Sequence, residues 1–252
     1  MKYVFHILLF LLSLNVFCQN QDLFDKANAL YNEGKYAESI DNYKAILDSG
    51  VHSADVYFNI ANAHYKLNNI APSIYFYEKA LQLAPNDSDI KNNLAFAQNM
   101  TIDAIDIIPD AGIAKLIKTI TNKLSFDAWA KTSVVLVFVF VMLFLLYYFS
   151  YSTGKKRLAF IGSLTSLVLV CVTLTFAFHK HNLDKNDNPA IVFVQESKVK
   201  SDPNNRSEES FRLHEGTKVQ VLQEYDNWKE VKLADGKTGW VVADDIKLLK
   251  DF

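Results

Sequence analysis

Six histidines and two cysteines are the side chains best able to ligate a metal or carry a covalent intermediate, so their spacing decides whether the chain has the means for either. His6 lies in an apolar N-terminal run, His52 and His64 in a helical region, His179 and His181 beside a long apolar block, and His214 in a stretch of alternating residues. None has a second histidine or a cysteine at the spacing that puts two ligands on one helix face. No phosphate-binding loop, dinucleotide fingerprint or nucleophile elbow occurs. Cys18 and Cys171 both sit inside apolar blocks, which excludes a disulfide framework and predicts an inert packing role for Cys171. No catalytic residue, metal or cofactor is expected, and the chain is not read as an enzyme.

What must then be positioned are recognition surfaces. The 252 residues are 50% apolar, 13% aromatic and 21% charged, with a formal charge of −2. That composition excludes a disordered chain, a collagen-like fibre and a basic nucleic-acid binder. The apolar residues are clustered in blocks, so position along the chain decides the class.

The first block runs from Val4 to Phe17 behind Met1-Lys2 and ends at the polar cluster Gln19-Asn20-Gln21-Asp22, which is the pattern of a secretory signal peptide over residues 1–18. Cleavage is expected after Cys18. Lipidation of Cys18 is the alternative, against which stands bulky Phe17 where lipoprotein signals carry small residues. Two further blocks, residues 132–154 and 158–178, hold no charge over 23 and 21 residues. Each is long enough to cross a bilayer as a helix, and they are expected as transmembrane helices over 132–153 and 158–178. Between them Lys155, Lys156 and Arg157 make a short basic turn, 154–157, which the positive-inside rule places in the cytoplasm. Tyr147, Tyr148, Tyr151 and Trp129 fall where interfacial aromatics belong. Both soluble arms then face outward, anchored in a bacterial inner membrane.

In the first arm, residues 22–100, five pairs recur 34 residues apart: Ala27 and Ala61, Tyr31 and Tyr65, Ser39 and Ser73, Ile40 and Ile74, Tyr43 and Tyr77. With Asn59-Ile60-Ala61-Asn62-Ala63-His64-Tyr65-Lys66-Leu67 and Ala80-Leu81-Gln82-Leu83-Ala84-Pro85-Asn86, this resembles the tetratricopeptide repeat, two copies followed by a capping helix from about Ser88 to Met100. One further period puts Leu94 and Ala95 in the seats of Ile60 and Ala61. The resemblance implies a groove lined by the first helix of each repeat, here Phe24, Asn28, Tyr31, Phe58, Asn62, Tyr65, Asn92 and Phe96. Such a stripe suits an extended peptide, or else it only packs the superhelix. A clamp for a terminal carboxylate is excluded, because Phe24, Asp89 and Asn93 occupy its basic seats. Ten acids against six bases between Asp22 and Met100, a net charge of −4, argue against an acidic ligand.

Residues 101–131 form a linker in which Ile113, Leu116, Ile117, Ile120 and Leu124 share one helical face, separated by Lys115, Lys118 and Lys123. That face suits either a membrane surface or the repeats. After the polar linker 179–188 the pattern alternates, with strand candidates at Ile191-Val194, Val219-Leu222, Trp228-Leu233 and Gly239-Val242 and a hairpin signal at Asp235-Gly236. Leu213-His214-Glu215-Gly216-Thr217-Lys218-Val219, Trp228-Lys229-Glu230-Val231 and Asp235-Gly236-Lys237-Thr238-Gly239-Trp240-Val241 resemble the bacterial SH3-like domain over 189–250. The resemblance implies a small barrel of some five strands, with Trp240 in its core, Gly239 at a turn or close approach, and a ligand surface near Tyr225, Asp226 and Trp228.

The fold class is therefore multidomain α plus β: helical repeats, a two-helix transmembrane hairpin and a small all-β barrel. This order of parts resembles the BatE-type proteins of bacterial aerotolerance (Bat) operons. The resemblance implies an inner-membrane scaffold in stress tolerance, working beside von Willebrand factor A-domain membrane proteins and a MoxR-type ATPase, and two recognition modules exported on one anchor lead to a non-catalytic adaptor for periplasmic proteins or peptides. A peptidoglycan-binding wall sensor and a structural subunit of an envelope secretion or assembly machine are the alternatives.

Overall fold

The computed structural model of the chain describes residues 20–105 and 112–250. The expected signal peptide, with Cys18, lies outside the described residues. The chain divides into two units, one built from the segments flanking residues 108–187 and the other from those residues.

The first unit begins with five antiparallel helices: α1 (residues 20–32), α2 (Tyr36–Asp48), α3 (Ala54–Lys66), α4 (Ile70–Leu83) and α5 (Ser88–Gln98). Local chemistry sets their ends. The Ser53 hydroxyl accepts the Val56 N–H and the Asp87 carboxylate accepts those of Asp89 and Ile90, so two helix starts satisfy donors that have no intrahelical partner. Gly34 (φ +79°) and Asn68 (φ +59°), one 34-residue period apart, turn the chain in the left-handed region at equivalent corners. Ala27 and Ala61 are fully buried, and in each repeat the serine of the second helix donates to the alanine carbonyl of the first: Ser39 to Ala27 at 2.8 Å, Ser73 to Ala61 at 3.0 Å. Any larger side chain at the alanine would push the pair apart. On α5, Leu94 is buried as its period predicts, but Ala95 is exposed. Among the described residues no second helix packs on α5, so the seat facing that partner is uncovered.

The same unit continues with β1 (Pro189–Val192), β2 (Glu196–Lys200), β3 (Glu209–His214), β4 (Lys218–Tyr225), β5 (Trp228–Lys232), β6 (Thr238–Val242) and β7 (Ile246–Leu248). They form one antiparallel sheet in the order β3-β2-β6-β5-β4-β1-β7. Val192, Val199, Leu213, Val231 and Val241 fill its core. A two-residue turn with Asp226 at φ +53° joins β4 to β5, and Asp235-Gly236 turns the next hairpin, the Asp235 carboxylate accepting the Lys237 N–H at 3.0 Å. A Cβ on Gly239 would lie 2.5 Å from Val199 Cγ1, so glycine is required there for close approach of β6 to β2. Trp240 is not in the core. Gly239 and Val241 point inward, and the two-residue period of a strand turns Trp240 to the other face, where it is half-buried; Trp228 is the buried tryptophan, 6% exposed.

The barrel is built onto the repeats. Ile191 and Leu249 belong to the same apolar cluster as Ile74, Tyr77 and Leu94, and the Phe193 ring meets Tyr75 edge-on at 5.5 Å. Asp103, in the segment after α5, accepts the His214 backbone N–H at 2.7 Å and the Thr217 hydroxyl at 2.6 Å, and pairs with His214 Nδ1 at 2.6 Å. Burial raises the Asp103 carboxyl. Its hydrogen bonds from Thr217 and His214 outweigh that, so it titrates below the ordinary carboxylate range and is ionised at neutral pH. Lys218 reaches Glu78 of α4 at 2.7 Å.

The second unit holds α6 (Gly112–Thr121), α7 (Phe126–Phe149) and α8 (Thr153–Asn186). Both α7 and α8 are long and apolar enough to cross a membrane. Small polar residues stitch them together: Ser133 donates to Thr173 Oγ1 and Ser166 to the Leu136 carbonyl, both at 2.8 Å. The chain reverses at Ser150-Tyr151-Ser152, the residues between the two helices, so Lys155, Lys156 and Arg157 lie in the opening of α8 and not in a loop as expected.

Two outcomes follow. Gly50 and Gly216 share φ values of +83° and +84°, but only at Gly216 would a Cβ meet other atoms, 2.9 Å from Ile74 Cδ1 and Thr101 Cγ2. Gly50→Ala pays backbone strain alone, about 1 kcal/mol, whereas Gly216→Ala adds the docking clash and lowers the denaturation midpoint of the solubilised chain further. Burial, then the Lys44 charge, pushes His64 from 6.5 down to about 4, and its ring stacks on Phe76 at 5.7 Å. The folded state holds the neutral ring, so its contribution is whole above pH 6.5 and is lost as pH falls toward 4. Thermal melts across that window should fall less for His64→Phe, which takes no proton.

Candidate peptide-binding groove

The first helices α1, α3 and α5 are held together by a hydrogen-bond relay that repeats with the 34-residue period. Asn28 Oδ1 accepts from the Tyr43 hydroxyl of its own repeat and from Asn59 Nδ2 of the next helix at 3.2 Å. One period on, Asn62 Oδ1 accepts from the Tyr77 hydroxyl at 2.6 Å and from Asn93 Nδ2 at 3.1 Å. Both lone pairs of each asparagine carbonyl are engaged in this way. The amide nitrogen is the end of the side chain that remains for a ligand. Burial raises the Tyr43 and Tyr77 phenols, which therefore stay protonated and act as donors.

This arrangement opens a cleft of about 190 Å³ lined by Tyr31, Asn62, Tyr65, Lys66, Tyr77, Asn93 and Phe96. Its walls combine aromatic faces with hydroxyl, amide and ammonium donors. It suits an extended backbone that presents carbonyl oxygens, with side chains laid against Tyr65 and Phe96, which is 61% exposed.

The eight expected groove residues separate into three groups. Tyr31, Asn62, Tyr65 and Phe96 share the cleft. Asn28 and Phe58 lie beneath it, Asn28 in the relay and Phe58 half-buried against the Tyr77 ring at 5.9 Å. Phe24 and Asn92 lie elsewhere: Phe24 packs edge-on against Tyr43 at 5.8 Å and lines a separate apolar cleft with Ile46, Val51 and Val56, and Asn92 is exposed. Lys66, Tyr77 and Asn93 were not among the expected lining residues. The signal for Asn93 was present in its 34-residue spacing from Asn59.

On the barrel, Tyr225 and Asp226 are exposed at the β4–β5 turn, while Trp228 is buried beneath it, so of the three expected surface residues only the first two can touch a ligand. Lys155, Lys156 and Arg157 are exposed on α8. Among the described residues no three histidine, cysteine or acidic side chains gather as metal ligands would.

Residues 54–87 match the tetratricopeptide repeat. Residues 197–247 match the bacterial SH3 domain. The first match spans α3 and α4, and the geometry of α1 and α2 extends the same repeat toward the N-terminus; the second spans β2 to β7. No curated protein matches the chain. Modules of both kinds are typically non-catalytic and bind proteins, and SH3 modules of bacteria also bind cell wall.

The relay predicts a selective cost. Asn62→Ala strands the buried Tyr77 hydroxyl and should destabilise the chain by about 1–3 kcal/mol in denaturant melts. Asn92→Ala, exposed on the same helix as Asn93, should change it by less than about 0.5 kcal/mol.

Proposed function

We propose that the chain is a membrane-anchored, non-catalytic adaptor whose repeat groove holds an extended segment of an extracytoplasmic protein while the barrel presents a second surface. The observation that carries this reading is the docking of barrel on repeats through Asp103, Glu78 and α4. Two modules in contact share one side of any bilayer, and an even number of crossings between them is what α7 and α8 supply. The cations opening α8 support a cytoplasmic position for the reversal and therefore an extracytoplasmic position for both modules in the bacterial inner membrane. The segments 22–100, 132–178 and 189–250 then serve as the groove module, anchor and docked module.

The likeness to BatE-type proteins supports a place in an aerotolerance or stress complex beside von Willebrand factor A-domain membrane proteins and a MoxR-type ATPase. The groove chemistry favours neutral or basic extended peptides. Its donors address backbone carbonyls, and the surrounding charge of −4 opposes an acidic chain.

A photocrosslinking residue at Tyr65 in the full chain, activated in intact cells, tests the reading. An adduct that survives Asn92→Ala and is lost with Asn62→Ala, in a variant still folded by its melt, is expected. An adduct indifferent to Asn62→Ala, or none, removes the groove from the account. Retention of the detergent-solubilised chain on purified wall material in the absence of any protein would replace the adaptor by the wall-binding reading.

A further inference from the structure

In the second unit, α6 carries Ile113, Leu116, Ile117 and Ile120 on one face and Lys115 and Lys118 on the other, and Lys123 follows it. Most of the apolar face has no cover: Ile113 is 77% exposed, and Leu116 and Ile117 are exposed as well, while Ile120 is half-buried.

The far end of α6 is fixed at a definite level on the hairpin. Asn122, the residue after α6, accepts a hydrogen bond from Lys180 Nζ at 3.2 Å, and the Trp129 indole N–H donates to the Thr121 carbonyl at 3.0 Å. The Trp129 ring meets Phe176 at 5.1 Å, and Phe126 meets His181 at 5.2 Å. The charge-free segment of α8 ends at Phe178, so Lys180 stands ~3 Å beyond the last residue able to sit in hydrocarbon. Asn122 is bonded at that height. On α7 the charge-free segment starts at Thr132, directly after Lys131. The C-terminal end of α6 therefore stands where acyl chains give way to headgroups.

We propose that α6 lies along this surface as an interfacial helix, its isoleucines and leucine sunk below the headgroups and Lys115, Lys118 and Lys123 against anionic lipid. Three observations select a bilayer over a protein as the occupant: continuity with two membrane-length helices, the height set by the Asn122 to Lys180 bond, and lysines flanking the apolar stripe. Side chains of this kind lie about 5–10 Å into the boundary region. The lysine stems cover apolar surface while their ammonium groups reach phosphate. The inference rests on α7 and α8 crossing the membrane, and it adds a third contact that holds the hairpin at one depth.

The test uses the full chain reconstituted in vesicles of phosphatidylcholine and phosphatidylglycerol. Single cysteines carry a spin label in a Cys18→Ser, Cys171→Ser background. Collision with oxygen, which partitions into lipid, is compared with collision with a water-soluble nickel chelate. At Ile113→Cys and Ile117→Cys the oxygen rate should exceed the nickel rate about threefold, and at Lys115→Cys the ratio should invert. Val139→Cys and Leu167→Cys, within the spans, report whether the hairpin crosses. If those two favour oxygen while positions 113 and 117 favour nickel, or are closed to both because protein covers them, the interfacial helix is overturned and the spans stand. If positions 139 and 167 favour nickel, the spanning reading itself fails. In phosphatidylcholine alone the preference at 113 and 117 should weaken; an unchanged ratio would remove the role assigned to the lysines.

Discussion

The contact between the barrel and the fourth helix is the constraint on which the rest of the molecule depends. Beside it, Asp103 in the segment after α5 meets His214 and Thr217 across more than one hundred residues of chain, nearly all of them in the helical hairpin unit and the first strands of the barrel. The entropy of closing so long a loop rises only slowly with its length, each doubling adding about 0.6 kcal/mol, so a modest apolar patch with one charged hub can hold it. Ile191, Leu249 and Phe193 supply the patch, and Ile105 packs on the barrel's own core. The segments that lead out to the hairpin and back from it are thus themselves part of the interface. Asp103 accepts three donors in a half-buried site, which is why its charge is tolerated there.

The repeat array obeys a related economy. The asparagines that stitch α1 to α3 and α3 to α5 do so with their carbonyls, and each accepts from the tyrosine that also fills the space beside the helix pair. Structural bonding uses the carbonyl ends of Asn28 and Asn62 and leaves their amide nitrogens, so the cleft acquires part of its chemistry from the way the repeats cohere. Within such a cleft local hydrogen bonds decide recognition. For the proposed peptide ligand, the net negative charge of the surrounding helices would act mainly at longer range, where it is screened over about 8 Å at physiological salt, and so bear on encounter more than on holding.

The periods of the sequence made most of this legible. A 34-residue repeat located Ala27, Ala61, Ser39, Ser73, Tyr43 and Tyr77, and the structure uses each in the same role in both copies. Charge-free blocks located α7 and α8. Pairings between distant segments were not legible: nothing local in Asp103 announces that it will meet His214, and β2 reads as Glu-Ser-Lys-Val-Lys because only Ser197 and Val199 point inward. The tryptophans were misplaced for a similar reason. Strand parity, set by the tight approach at Gly239, turns Trp240 away from the core, and a one-residue change of phase in β6 would turn it inward. In the groove, face assignment by repeat position gave four cleft residues and sent Phe24 and Asn92 to surfaces that the superhelix turns elsewhere.

The opening of α8 shows how electrostatics and topology can oppose each other locally. Lys155, Lys156 and Arg157 follow Ser152 and Thr153 at the positive end of the helix dipole, with no acidic residue in the first turn and no side-chain cap at Ser152. Each cation there is disfavoured by about 0.3–1 kcal/mol. The helix forms nonetheless, carried by the long apolar stretch that follows. The charges therefore contribute nothing to the helix that carries them. A local penalty of this size is small beside the cost of drawing three cations through a bilayer, about 2.5–3.5 kcal/mol each at its centre, which is the physical basis of the orientation proposed for the hairpin.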